Sequence, residues 1–167
     1  MSRAFVKEDD SGEPPIIPNR AALPPGVTNY VTPTGLQELK KEREELDKER
    51  GQLSAKDDGE SRRELQIVNG KLEQLNARIS SARVIQPSEQ PRDEVRFGAT
   101  VKLENTENGD ERIFKIVGVD EANVKEGKIA FVAPIAKVLN GKNEGDIVTF
   151  RFGGDEEKLK ITEIVYE

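Results

Sequence analysis

The stretch TGLQELKKEREELDKERGQLSAKDDGESRRELQIVNGKLEQLNARISSARVI, residues 34–85, decides the fold. Its second half places apolar side chains at Leu65, Val68, Leu72, Leu75, Ile79 and Ala82. Those steps alternate between three and four residues, the seam spacing of a coiled coil. The first half carries Leu36, Leu39, Leu46 and Leu53, with Arg43 and Arg50 at the remaining seam positions. Reflection about Gly59 sets Leu53 opposite Leu65, Leu46 opposite Leu72, Leu39 opposite Ile79 and Leu36 opposite Ala82. Arg43 and Arg50 then face Leu75 and Val68, where their alkyl stems can pack while the guanidinium heads reach water. The pattern predicts an antiparallel two-stranded coiled coil turning at Lys56–Glu60. About 20 residues per helix gives a hairpin on the order of 30 Å long at 1.5 Å per residue.

The ends of both helices carry signals. Thr32 suits an N-cap, Pro33 the first helical position, and Thr34 with Gln37 offers an alternative capping box. At the turn, Gly59 is expected to stop the first helix in a left-handed conformation, and Ser61 with Glu64 to cap the second. Charges of both signs interleave along KKEREELDKER, the composition of a solvated helix surface.

Outward from the hairpin the character of the chain changes. Residues 1–30 form a proline-rich arm, with Pro14-Pro15, Pro18 and Pro24-Pro25, and read as irregular. The hairpin region is 31–86, and prolines at 87 and 91 break the second helix. From 92 to 167 short β-like runs alternate with turn signals: 95–103, an Asn-Gly turn within 105–110, 112–117, 128–131, 147–152 and 158–166. Pro134–Leu139 reads as one short helix closed by Asn140-Gly141. The expected class is α+β, a coiled-coil hairpin followed by a small antiparallel-sheet domain.

Composition removes whole classes of chemistry. Cysteine and histidine are both absent from the 167 residues. That excludes a disulfide frame, a thiolate nucleophile, a Ser-His-Asp triad and a zinc site of the usual Cys/His kind. Any metal has to be a hard cation held by carboxylates. Apolar content of 34% against 35% charged residues suits a thin hairpin plus a small domain. A net charge of −6 argues against free nucleic-acid binding through phosphate contacts. No run reads as a membrane span or a signal-peptide core, so the expectation is a cytoplasmic monomer without a membrane partner.

The C-terminal half resembles the bacterial Gre family of transcript-cleavage and elongation factors. The matching pieces are Phe97-Gly98-Ala99-Thr100-Val101, Ile116-Val117-Gly118 with Asp120-Glu121-Ala122, and Pro134-Ile135-Ala136. They continue through Leu139, Gly141-Lys142 and Gly145-Asp146 to Ile164-Val165-Tyr166. Thr32-Pro33-x-Gly35 at the hairpin entry and Ala82-Arg83-Val84-Ile85 at its exit match as well. The resemblance implies an FKBP-like C-terminal domain that docks on the rim of the RNA polymerase secondary channel, with the coiled coil entering that channel. Nucleic acid is then met only within the transcription complex. It also implies no tightly bound cofactor and no catalytic residues of its own. Tip carboxylates would share a Mg²⁺ with the polymerase, whose active centre hydrolyses backtracked RNA by two-metal chemistry.

Two departures bear on that implication. The family's cleavage-competent tip reads Gly-Asp-x-x-Glu-Asn-Ala-x-Tyr, whereas this turn is Asp57-Asp58-Gly59-Glu60-Ser61-Arg62-Arg63-Glu64-Leu65. Asp57 and Glu60 keep the three-residue spacing, and with Asp58 they are the candidate Mg²⁺ helpers; Asp57 and Glu60 would act as ligands only in the complex. The hairpin is also shorter than is typical of the family by about one heptad per helix, roughly 10 Å. A coordinating carboxylate must sit about 2 Å from its ion, so side-chain flexibility does not bridge that gap. Channel occupancy without cleavage and true cleavage stimulation therefore both stand as readings. Candidate polymerase contacts are Asp120 and the loop Ala133-Pro134-Ile135, where the family has serine at the position of Ala133. For Pro134 a simple helix start, and for Asp120 stabilisation of its own loop, are equal alternatives. Prolyl isomerisation is the enzymatic reading, and it is disfavoured because Phe97, Phe114, Phe131, Phe150 and Tyr166 are expected to pack the core.

Overall fold

The structure is a computed structural model that describes residues 13–167. The part of the N-terminal arm that falls on residues 1–12 lies outside the described residues. Elements in chain order are β1 (Asn29–Val31), α1 (Pro33–Ser54), α2 (Gly59–Ser81), β2 (Ala82–Val84), β3 (Thr100–Asn105), β4 (Glu111–Val117), β5 (Lys128–Ala130), α3 (Pro134–Leu139), β6 (Ile147–Arg151) and β7 (Glu156–Val165). Short 3₁₀ turns occupy Pro87–Glu89 and Val124–Glu126. The chain divides into two compact units. One holds Lys41–Ala77 with the described arm up to Arg20, and the other holds Ala21–Lys40 with Arg78–Glu167.

In the first unit the seam predicted by reflection is the buried one. Leu46, Leu53, Val68, Leu72 and Leu75 are buried, Leu75 completely. Arg43 is half-buried, as a stem packed on the seam would be, whereas Arg50 is exposed and pairs with Asp47 at 3.0 Å. The turn is built differently from the expectation. Gly59 is the first residue of α2 and has no positive φ. Asp58 is the residue that caps α2: its carboxylate accepts from the Ser61 backbone N–H at 2.7 Å and from the Ser61 hydroxyl at 3.0 Å. An anionic acceptor at the positive end of a helix is a stronger cap than a serine hydroxyl, so the start moves upstream of Ser61.

In the second unit Thr32 caps α1, its hydroxyl accepting from Gly35 N–H at 2.9 Å. A five-stranded sheet runs in the order β5-β4-β3-β7-β6. The pairs β3–β4, β3–β7 and β6–β7 are antiparallel as expected, with a register shift between Lys102 and Leu103. The β4–β5 pair is parallel, so the sheet is mixed and not purely antiparallel. The connection from Gly118 to Gly127 causes this, because it carries the chain back to the start of β4 before β5 begins. Its last residue, Gly127, has φ +73° beside the Ile113 carbonyl, which only glycine accommodates.

One face of the sheet buries Val101, Leu103, Ile116, Ile129, Val148, Leu159, Ile161 and Ile164 against Ile135, Ala136 and Leu139 of α3. At roughly 1.5–3 kcal/mol per buried aliphatic side chain, this is the main source of stability in the unit. A second, parallel pair joins β1 to β2, with Asn29, Tyr30 and Val31 opposite Ala82, Arg83 and Val84. It sits where the chain enters and leaves the hairpin. The irregular-arm reading stops short there, since residues 29–31 are strand. Gly118 packs on this pair so closely that a β-carbon would stand 2.6 Å from the Tyr30 carbonyl oxygen.

Candidate functional site

The first candidate is the hairpin turn. Asp57, Asp58 and Glu60 all lie there, but their surroundings differ. Asp58 is committed to capping, and its bonds from the Ser61 N–H and hydroxyl, helped by Lys56 and Arg62, hold its carboxyl below the usual value of 3.8. Asp57 is 97% exposed in its side chain and meets Arg62 at 3.1 Å, a surface pair of little energetic weight. Glu60 is exposed in the first turn of α2. Among the described residues no group of three or more acidic side chains converges closely enough to hold a metal ion. Asp57 and Glu60 are thus the pair with carboxylates turned to solvent.

The second candidate lies in the unit of the sheet. The loop after β4 carries Asp120 and Glu121, which grip the two helices. Asp120 pairs with Arg78 of α2 at 2.8 Å, with the two side chains only 7% and 14% exposed. Glu121 is buried and accepts from the Thr32 hydroxyl at 2.5 Å, at the N-terminus of α1. Gly35 leaves room for it: a β-carbon there would stand 2.7 Å from Glu121 Oε1. Asp120 therefore serves inside the fold, and its carboxylate is not presented to solvent. Of the loop before α3, Ile135 is buried in the core, Ala133 is half-buried, and Pro134 is exposed at the first helical position. Ala133 makes no side-chain cap bond to α3.

Beside α3 opens a cleft of about 690 Å³. Tyr30, Phe97 and Phe131 form its aromatic wall, with ring centroids 5.6–5.9 Å apart. Arg83, Arg96 and Lys137 bring positive charge to it, and no carboxylate is among its lining residues. The Arg83 guanidinium stands 5.9 Å from the Tyr30 ring centroid. Arg96 is held by Glu94 at 2.5 Å. The Arg96 backbone N–H donates to the Tyr166 hydroxyl at 2.7 Å, and that hydroxyl donates to the Glu94 carbonyl at 2.5 Å. Burial pushes the Tyr166 phenol up from its ordinary value of 10.0. Phe97 and Phe131 thus pack on the core, as expected, and also face the cleft. Phe114 and Phe150 also pack on the core, as expected, and group there with Phe152.

With both candidates described, known proteins can be set beside the chain. Residues 90–166 match the model of the family described as transcription elongation factor, GreA/GreB, C-terminal. The transcription elongation factor GreA of Alkalilimnicola ehrlichii is 38% identical over 121 residues, 71% of this chain and 77% of that protein. The chain belongs to the GreA/GreB family. GreA of Nitratiruptor is 33% identical over 151 residues, covering 82% of this chain and 93% of its own length. Among solved structures, a GreA/GreB factor from Nitrosomonas europaea is 21% identical over 82% of this chain and 98% of its own, with a TM-score of 0.43. Gfh1 of Thermus thermophilus is 20% identical over 81% of this chain and 97% of its own, with a TM-score of 0.41.

In this GreA/GreB chain Asp57 and Asp58 lie between the two helices and Glu60 in the first turn of α2. The sequence reading missed the cleft, whose wall comes from β1, the loop before β3 and the stretch after β5. Arg83 stood within a quoted motif and Lys137 beside one, and the available signal was that neither has an acidic residue within four positions in sequence.

Proposed function

We propose that this chain docks on RNA polymerase through its C-terminal domain and puts its helical hairpin into the secondary channel, regulating transcription from there. The observation that carries this is the cleft beside α3: an aromatic wall of Tyr30, Phe97 and Phe131 with Arg83 and Lys137 around it, Arg96 beside them paired with Glu94, and no carboxylate lining. On a chain of net charge −6 that is a local reversal of sign. It suits an acidic, partly apolar protein surface, which steers encounter by charge and anchors through the rings. The docking partner supplies the catalytic centre, and this chain acts as an accessory factor.

Binding to core RNA polymerase at micromolar concentration and low salt tests the reading. Wild type should bind, and Arg83→Glu with Lys137→Glu should weaken binding by at least about tenfold. No binding by wild type overturns the proposal, and undiminished binding by the double variant moves the docking surface away from the cleft.

A second reading is transcript-cleavage stimulation, favoured by the solvent-facing carboxylates of Asp57 and Glu60 at three-residue spacing. These would help hold a Mg²⁺ that belongs to the polymerase. RNA cleavage in stalled complexes decides it: equal cleavage by wild type and by Asp57→Ala/Glu60→Ala removes the tip from the chemistry.

A further inference from the structure

The N-terminal arm does not merely precede the hairpin; its described part lies along it. Glu13 offers its carbonyl to Arg63 Nη1 at 3.0 Å. The Ile17 side chain covers Gly70, so tightly that a β-carbon at 70 would stand 2.2 Å from Ile17 Cδ1. Gln74 clamps the backbone on both sides of Asn19: its Nε2 donates to the Pro18 carbonyl at 3.2 Å, and its Oε1 accepts from Arg20 N–H at 3.0 Å. The Arg20 guanidinium crosses to α1 and grips Glu42 with two bonds of 2.7 and 3.1 Å. The contacts on α2 thus fall at 63, 70 and 74, and half-buried Ile67 lies on the same stripe. This stripe is separate from the seam that faces α1.

The lengths agree. From Glu13 to Arg20 the arm covers seven steps, roughly 22 Å at the 3.1 Å per residue of polyproline-type chain. From Arg63 to Gln74 the helix covers eleven steps, roughly 17 Å at 1.5 Å per residue. The Arg63 side chain, which reaches towards Glu13, accounts for the remainder. The pattern also explains a glycine in mid-helix. Gly70 costs helix stability of itself, and what it gives is room for Ile17.

We propose that α1 and α2 form a peptide-binding groove, centred on Gly70, Gln74 and Glu42, whose ligand is the chain's own proline-rich segment 13–20. The groove reads an apolar side chain at 17, backbone groups at 18 and 20 and a guanidinium at 20, the features of an extended segment of the form Ile-Pro-x-Arg. Its occupant packs on α2 through Ile17 and reaches α1 through the Arg20–Glu42 pair. Seated, it is a third chain of the hairpin and runs parallel to α2. This groove and its occupant are independent of the polymerase reading.

The absence of cysteine makes the test clean. Ile17 Cγ1 and Cγ2 lie 2.9 and 3.0 Å from the place of a Gly70 β-carbon, so Ile17→Cys/Gly70→Cys is within disulfide reach. The full chain carrying this pair should close an intramolecular disulfide in air, at least about tenfold faster than Ile16→Cys/Ile17→Ala/Gly70→Cys, in which the side chain at 17 no longer meets residue 70 and residue 16, 89% exposed as Ile, carries the thiol. Equal rates for the two pairs overturn the proposal. Amide exchange on the otherwise unmodified chain gives a second readout. Arg20 N–H should be slowed roughly fivefold or more over an unstructured amide, and lose that protection in Arg20→Glu and in Glu42→Arg. The charge-swapped Arg20→Glu/Glu42→Arg chain should regain it. An unprotected amide in wild type, or no recovery in the swap, counts against the groove.

Discussion

At Gly35 one missing methyl group decides whether Glu121 can stay buried beside the Thr32 hydroxyl. Gly35→Ala brings a β-carbon 2.7 Å from Glu121 Oε1 and 3.2 Å from Thr32 Oγ1. Overpacking of this kind costs about 1–3 kcal/mol, more than the helix propensity gained by alanine. Urea unfolding should therefore show Gly35→Ala less stable than wild type, and an unchanged midpoint would contradict the packing. Asp58 makes a prediction with a pH sign. Its folded carboxyl is held below 3.8, so its cap contributes fully at neutral pH and is lost as pH falls through the lowered value. Asp58→Ala should lower the melting temperature of the hairpin by a few degrees at pH 7, with the difference shrinking in acid. A difference that does not shrink at all on acidification would assign the effect to something other than the carboxylate.

At the scale of elements, the loop after β4 works as a pair of hands. Asp120 holds α2 through Arg78, and Glu121 holds α1 through Thr32. The Arg78–Asp120 pair is nearly closed to water, so removing one partner leaves a nearly buried charge without its ion pair. Asp120→Ala should cost about 3 kcal/mol by chemical unfolding, and Arg78→Met/Asp120→Ala clearly less than the sum of the two single changes. Simple additivity would mean the pair is not coupled. The elements themselves were largely legible. Pro134–Leu139 is the helix its proline start and Asn140-Gly141 end predict, and the leucine seam maps onto burial. What could not be read was pairing between distant short runs. Asn29–Val31 has three residues, too few for periodicity, and its partner Ala82–Val84 reads in sequence as the last turn of the second helix, which ends instead at Ser81. The parallel partnership of β4 and β5 was likewise invisible, because strand direction is set by the path of a loop. The cap was misread for a local reason: two capping residues competed within four positions, and the charged one won.

For the molecule as a whole, the two compact units are stabilised unequally. The unit of the sheet buries a continuous aliphatic core, while the unit of Lys41–Ala77 has a single seam of five buried apolar side chains. Unfolding should therefore depart from a two-state transition. Far-ultraviolet helical signal should begin to fall before the tyrosine environment of Tyr166 changes, and amides of 41–77 should exchange faster than those of β3, β4 and β7. Coincident transitions by both probes would show one cooperative block. The cleft is legible only at this scale, because Tyr30, Arg83, Phe97 and Lys137 are far apart in sequence and were each read separately.

The parallel pair of β1 and β2 has one more consequence. Because Asn29–Val31 and Ala82–Val84 are bound side by side, everything between them is a closed excursion that begins and ends at a fixed gate. Residues can be added to it or taken from it in matched sets of seven on each limb without altering the gate. Each such set changes the length of the hairpin itself by roughly 10 Å and keeps the seam in phase. The hairpin is, in this sense, a telescoping part whose length is free to drift while its mounting is not.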